Sequence, residues 1–271
     1  MRRRRSVLAL ALASILAFVF LGASPAQANG AGPLSQSTYV ALGDSYPAGA
    51  LLPSPDYAYP AVLANGLANV NLQAHSGESV SSLLSSLQAS SPDPTVRWVT
   101  LTVGANDTAW QQELANCVAA GSACNYLGVI ATLNQGVNTV SPKLPQVLTE
   151  INRVYPRATI YWSGYVRPFV PSSLRSVCQV PLGGGNSAQV PALMGVAIDA
   201  TIVNFNSRVI SAVLQANLQR IPARYVAADP QFNGHRYCNP EPEQWLFLLH
   251  PTIEGQKAYA RAFTLAGMAS N

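Results

Sequence analysis

The chain is predicted to fold as an α/β protein, a three-layer α/β/α sandwich built on a central parallel sheet of about five strands. Three observations predict it. Short apolar runs of strand character alternate five times with segments of helical spacing, the order of βαβ units whose parallel sheet is covered on both faces. Hydrophobic residues make up 49% of the 271-residue chain, enough to build a large core. No internal repeat and no second domain boundary interrupts the alternation.

The elements follow in order. Residues 39–42 are an unbroken apolar run ending at Gly43, a buried strand followed by a turn. Residues 59–67 have helical spacing, with Pro60 tolerated near the start. Residues 70–74 read as a second strand and 80–87 as a Ser/Leu-rich amphipathic helix. Residues 96–103 are the clearest strand, stopped by Gly104. A long helical pattern covers 129–154, interrupted near Pro142 and Pro145. Residues 158–162 form a fourth strand, 191–218 a mostly helical stretch, 224–227 a fifth strand and 252–266 a closing helix. Three stretches, 104–128, 166–190 and 228–250, read as loops long enough to need a reason, and disulfide bracing over a site rim is one. In such sheets the site lies beyond the carboxyl ends of the strands.

The N-terminus is set aside from this fold. Arg2–Arg5 form a positive start, residues 7–21 are apolar or small, and Ala26-Gln27-Ala28 is a cleavage signal. Residues 1–28 are therefore expected to be an export signal and 29–271 the working domain. The whole chain carries 16 Lys and Arg against 12 Asp and Glu. Four of those arginines and none of the acids lie in the leader, so the remainder is formally neutral at twelve against twelve. No basic cluster survives, which argues against a nucleic-acid partner. Four cysteines, Cys117, Cys124, Cys178 and Cys238, are expected to form disulfides in an exported chain. Cys117 and Cys124 are placed to close a small local loop, leaving Cys178 with Cys238, although three pairings are open. No C-x-x-C or H-E-x-x-H spacing occurs around His75, His235 or His250, so no metal is expected. No dinucleotide or Walker motif occurs either, and no cofactor is expected.

Three predicted strand ends carry unusual residues: Gly43-Asp44-Ser45, His75-Ser76-Gly77-Glu78 and Gly104-Ala105-Asn106-Asp107. A fourth fragment, His250-Pro251, opens the last helix. Singly each is ordinary: Ser caps helices, Gly makes turns and Asn satisfies local backbone. Together and in this order they resemble the SGNH (GDSL) hydrolase family, over about residues 39–266. Ala41-Leu42-Gly43-Asp44-Ser45-Tyr46, Val103-Gly104-Ala105-Asn106-Asp107 and Phe232-Asn233-Gly234-His235 with Cys238 resemble its secreted actinobacterial lipases and esterases. The resemblance implies a flavodoxin-like sheet and a serine hydrolase of carboxylic esters, lipid or short to medium acyl. A serine hydroxyl needs an imidazole to take its proton, and the resemblance assigns these roles to Ser45 and His250. It assigns the oxyanion donors to the backbone N–H of Ser45 and Gly77 and the side-chain amide of Asn106. Gly77 is expected to be glycine so that its backbone can approach the reacting centre. Asp44 and Asp107 are expected to order their turns, and His235 to be a structural hydrogen-bonder beside Cys238. His75 stands where relatives often carry a cysteine, which implies two bridges rather than three.

One departure from the family pattern concerns the third catalytic group. Three residues before the histidine, where an aspartate is usual, stands Phe247. The resemblance then implies a Ser–His dyad, with the Phe247 main-chain carbonyl accepting the Nδ1–H of His250. Glu241 and Glu243 are the competing candidates. Two other readings stay open, a catalytically weak relative that binds a lipid or cell-wall ligand and a carbohydrate deacetylase. A monomer in transient contact with a lipid surface is expected. The α/β-hydrolase signature G-x-S-x-G is absent.

Overall fold

The computed structural model describes residues 33–120, 124–169, 177–183, 186–239, 245–247 and 249–269. The predicted leader, Glu241 and Glu243 lie outside the described residues. From the N-terminus come strand β1 (Tyr39–Gly43), helix α1 (Tyr59–Leu63), β2 (Asn71–Leu72), α2 (Val80–Ala89) and β3 (Trp98–Thr102). Helices α3 (Trp110–Ala120), α4 (Tyr126–Val140) and α5 (Leu144–Val154) precede β4 (Thr159–Ser163). A hairpin of β5 (Val177–Gly183) and β6 (Asn186–Pro191) leads into α6 (Ala192–Leu218) and β7 (Ala223–Val226). A two-residue pair, β8 (Leu246–Phe247) and β9 (His250–Pro251), precedes α7 (Ile253–Leu265).

Strands β2, β1, β3, β4 and β7 lie side by side in that order, all parallel, as the sequence predicts. Helices α1 and α7 pack on each other, and α2, α5, α6 and α4 pack in turn, giving helical layers flanking the sheet. Every residue of β1 and β3 is buried. The core's large aromatics carry polar tips, which β3 satisfies: the Tyr39 hydroxyl lies 2.9 Å from Thr100 Oγ1 and that of Tyr59 3.1 Å from Thr102 Oγ1. After β1 the chain turns to one side of the sheet and after β3 to the other. A crevice therefore opens at the carboxyl ends of this neighbouring pair, the switch point where doubly wound sheets place their sites.

Several expected elements differ. The predicted helix over 59–67 stops at Leu63, because Asn65 and Gly66 adopt φ of +54° and +131°. The second strand shortens to two edge residues. The 129–154 pattern splits into α4 and α5 across a 3₁₀ turn at Ser141–Lys143, where Pro142 sits. The supposed loop 104–128 holds α3, and 166–190 holds the β5–β6 hairpin. Disulfides join Cys117 to Cys124 and Cys178 to Cys238.

Candidate active site

The nucleophile candidate sits on a turn that the sheet dictates. At Gly43 φ is +124°, and a Cβ there would lie 2.1 Å from the Thr102 carbonyl oxygen, so the strand can leave β3 only through glycine. The Asp44 N–H donates to Thr102 O at 2.9 Å. The carboxylate of Asp44 accepts the Tyr46 N–H at 3.0 Å, a local loop that encloses Ser45. Its second oxygen accepts the hydroxyl of Tyr165. Burial pushes the Asp44 carboxyl up to about 7, against the lowering effect of these bonds. Asp44 thus orders the turn, as expected.

His250 reaches Ser45 across 205 positions of chain. Ser45 Oγ lies 2.9 Å from His250 Nε2. With its proton on Nδ1, the ring accepts the serine hydroxyl. The preceding residue, Leu249, is clamped at both ends: its N–H donates to the Tyr237 hydroxyl at 3.0 Å, and its carbonyl accepts the Tyr46 hydroxyl at 2.6 Å. Tyr46 directly follows Ser45, so the nucleophile's neighbour grips the histidine's neighbour. Gln256, fully buried on α7, extends the clamp by donating to Tyr46 O at 3.0 Å and accepting from Tyr59 N–H at 2.9 Å. Phe247 is the antiparallel partner of His250 in the β8–β9 pair.

The other two strand ends meet beside this pair. Asn106 donates through Nδ2 to Glu78 O at 2.9 Å, which uses one of the two hydrogens of its amide. Asp107 accepts the Val80 N–H at 2.9 Å and so caps α2. Residues 105–107 therefore hold the 77–80 segment by two bonds. Gly77 lies at the tip of a turn closed by Glu78 N–H to His75 O at 3.0 Å, with φ of +85°. A Cβ added there would meet nothing within 4 Å, so the left-handed backbone rather than crowding by protein atoms selects glycine.

The rim is braced by charge and stacking. Asp229 accepts from Arg167 at 2.7 Å and Arg236 at 3.0 Å. Burial alone would raise its carboxyl, but the Arg167 bonds and the two positive charges outweigh it and hold it below the usual range. His235 stacks on Trp245 with ring centroids 3.7 Å apart, and Arg261 covers Trp245 at 5.7 Å. This stack, with the Cys178–Cys238 bridge, anchors the segment from which His250 projects. Among the described residues no group of three or more His, Cys, Asp or Glu side chains is placed to hold a metal ion.

An apolar cleft of about 70 Å³ lies beside the site. Tyr46, Ala105 and Leu249, the chain neighbours of Ser45, Asn106 and His250, form part of its wall, and Leu133, Ile198 and Phe205 are among the residues that line it further. Its two threonines turn their hydroxyls to helical or local carbonyls, Thr201 to Ala197 O at 3.0 Å and Thr108 to Ala105 O at 2.8 Å. Sequence reasoning missed Tyr46, Tyr165, Tyr237 and Gln256. The position of Tyr165 just after a predicted strand was the signal available for it.

A family model described as GDSL-like Lipase/Acylhydrolase matches residues 41–258. Among solved structures, an extracellular lipase from Streptomyces rimosus is similar at 26% identity and a TM-score of 0.68, over 84% of this chain and 99% of that one. A phospholipase A1 from Streptomyces albidoflavus shares the fold at 23% identity and a TM-score of 0.67, over 84% and 98%. An acetylxylan esterase from Geobacillus stearothermophilus shares it at 12% identity and 0.53, over 87% and 96%. No curated protein sequence matches the chain.

Proposed function

The chain belongs to the GDSL-like lipase/acylhydrolase family and is a carboxylic ester hydrolase, and from that premise we propose a secreted enzyme that cleaves acyl esters through an acyl-enzyme on Ser45. The observation that carries the mechanism is the 2.9 Å contact between Ser45 Oγ and His250 Nε2. As Oγ bonds to the ester carbonyl carbon, its proton passes to Nε2. The carbonyl π electrons move to oxygen, and the oxyanion is met by the N–H groups of Ser45 and Gly77 and the amide of Asn106. Collapse expels the alcohol, which takes the proton from His250. Water then attacks the acyl-serine, gives its proton to His250, and the acid leaves as Ser45 recovers that proton.

The Nδ1–H of His250 needs an acceptor to keep the ring in this tautomer. The acceptor in this reading is the main-chain carbonyl of Phe247, so that Ser45 and His250 act as a dyad. Single Glu241→Gln and Glu243→Gln variants are expected to keep kcat within a few-fold of the wild type. Loss in either as complete as in His250→Ala would make that glutamate the third member instead.

The cleft supports an acyl chain as the substrate's apolar part, entered from a lipid or a soluble ester. Export is supported by the leader expected over residues 1–28 and by the two disulfides. The test is turnover of p-nitrophenyl esters of increasing chain length. Specificity is expected to rise from acetate to medium chains by up to about fourfold per methylene, the factor that ~0.8 kcal/mol per buried CH₂ allows. Highest kcat/KM on acetate would contradict the acyl-chain reading. Turnover that survives in Ser45→Ala would contradict the mechanism.

A further inference from the structure

Three strand ends converge on one hydroxyl that the mechanism above leaves unused. Asp44 follows β1, Ala105 follows β3 and Tyr165 follows β4, and β3 lies between the other two strands. Neighbouring strands are spaced by about 4.8 Å, so β1 and β4 stand roughly 10 Å apart, a gap that calls for a side chain as long as tyrosine. The Tyr165 hydroxyl crosses it. It donates to Asp44 Oδ2 and accepts the Ala105 N–H at 3.0 Å. Asp44 precedes Ser45, and Ala105 precedes Asn106.

We propose that Tyr165 is a positioning residue for the ester hydrolysis described above, and rests on that reading: its hydroxyl ties the turn carrying Ser45 to the turn carrying Asn106, fixing nucleophile and oxyanion donor in one relation. The rest of the residue is held as that role requires. Asn206 on α6 clamps its backbone, accepting the Tyr165 N–H at 3.0 Å and donating to Tyr165 O at 2.8 Å. Gly164 makes room for the clamp, because a Cβ there would fall 2.4 Å from Asn206 Oδ1. The preceding residue on α6, Phe205, packs against the Tyr165 ring at 5.7 Å and against Gly104, where a Cβ would fall 2.2 Å from it. One turn of α6 thus presses on the ends of β3 and β4 together. The Tyr165 ring also meets Tyr46 edge-on at 5.1 Å, and Tyr46 holds Leu249 beside His250. Tyr165 is 4% exposed and its ring forms part of the cleft wall, but its hydroxyl is spent on Asp44 and Ala105 and acts through those turns.

The test uses Tyr165→Phe, which keeps the ring and removes the hydroxyl, with kcat referred to the sites titrated by a fluorophosphonate so that a shortage of folded enzyme does not count. A displacement of about 1 Å near the chemistry can cost roughly a hundredfold. The expected result is a ten- to hundredfold fall in kcat per titrated site with KM within about twofold. The double variant with Asp44→Asn is expected to lose clearly less than the product of the two single losses, since the hydroxyl works partly through that carboxylate. Asn206→Ala, which loosens the Tyr165 backbone and leaves the hydroxyl, is expected to lower kcat in the same direction and serves as the test should Tyr165→Phe fail to fold. A kcat per site equal to the wild type, whatever the change in Tm, would overturn the proposal and leave Tyr165 purely structural. So would a loss confined to KM, or fully additive losses with Asp44→Asn. Turnover retained in Ser45→Ala is a separate failure, of the mechanism itself.

Discussion

Leu249 adopts φ of +62°, a left-handed conformation that costs a non-glycine residue about 1–2 kcal/mol. Its two tyrosine clamps hold that conformation in place, and the next residue is His250. Tyr46→Phe removes one clamp and is expected to lower kcat several-fold with little change in KM, measured on a soluble ester. At Asn106 the expected effect is larger: Asn106→Ala should lose roughly 10²–10³ in kcat, the usual cost of one oxyanion donor. Gly77→Ala places a Cβ in open space at φ +85°, so its expected cost is the backbone term alone, about 1–2 kcal/mol by denaturant titration. Ser45, Gly77, Asn106 and His250 could be singled out from sequence because their four short motifs, ordinary singly, together and in this order resemble a known family. Tyr46, Tyr165 and Gln256 could not be given roles, because their partners lie 203, 121 and 210 positions away.

The strands were legible where burial on both faces leaves continuous apolar runs, as in β1 and β3. Helix α6 was legible by length: its 27 residues are apolar on two sides, one with Ile198 and Phe205 turned inward and another with Leu193, Leu214 and Leu218 exposed. Helix α3 was missed although Trp110, Leu114, Cys117 and Val118 stand at helical spacing: the stripe is short, and polar Gln111–Glu113 and Asn116 interrupt it inside a stretch read as loop. The β5–β6 and β8–β9 pairs were hidden by glycine, proline and short length. Gln256 joins the last helix to the Ser45 turn and to α1, and that joint can be tested. Gln256→Ala leaves a buried N–H and a buried carbonyl without their partner, so a loss on the order of 2–4 kcal/mol is expected from urea unfolding. An unchanged midpoint would show that the joint carries no stability.

At the scale of the molecule, two buried carboxyls set an unusual dependence of stability on pH. Asp44 and Asp199 are both raised by burial from 3.8 to about 7. Between those values the folded chain holds protons that the unfolded chain has released, so stability falls as pH rises from about 4 to about 7. Asp229 works the other way: its carboxyl is lowered, so its contribution is present above the ordinary carboxylate range and is lost as pH falls through its folded value. Unfolding midpoints are therefore expected to be higher at pH 5 than at pH 8, and Asp44→Asn should shrink that difference. Stability that climbs steadily to pH 8 would contradict the assignment. The parallel sheet, its switch point and the Tyr46 and Gln256 clamps together bring position 45 to position 250, and that meeting is the centre of the account. The most direct measurement is fluorophosphonate labelling of the folded protein, located by mass spectrometry of its peptides. The account predicts one adduct, on Ser45, formed rapidly in the wild type and at least a hundredfold more slowly in His250→Ala. An adduct on another residue, or labelling of Ser45 at the same rate without the imidazole, would contradict it.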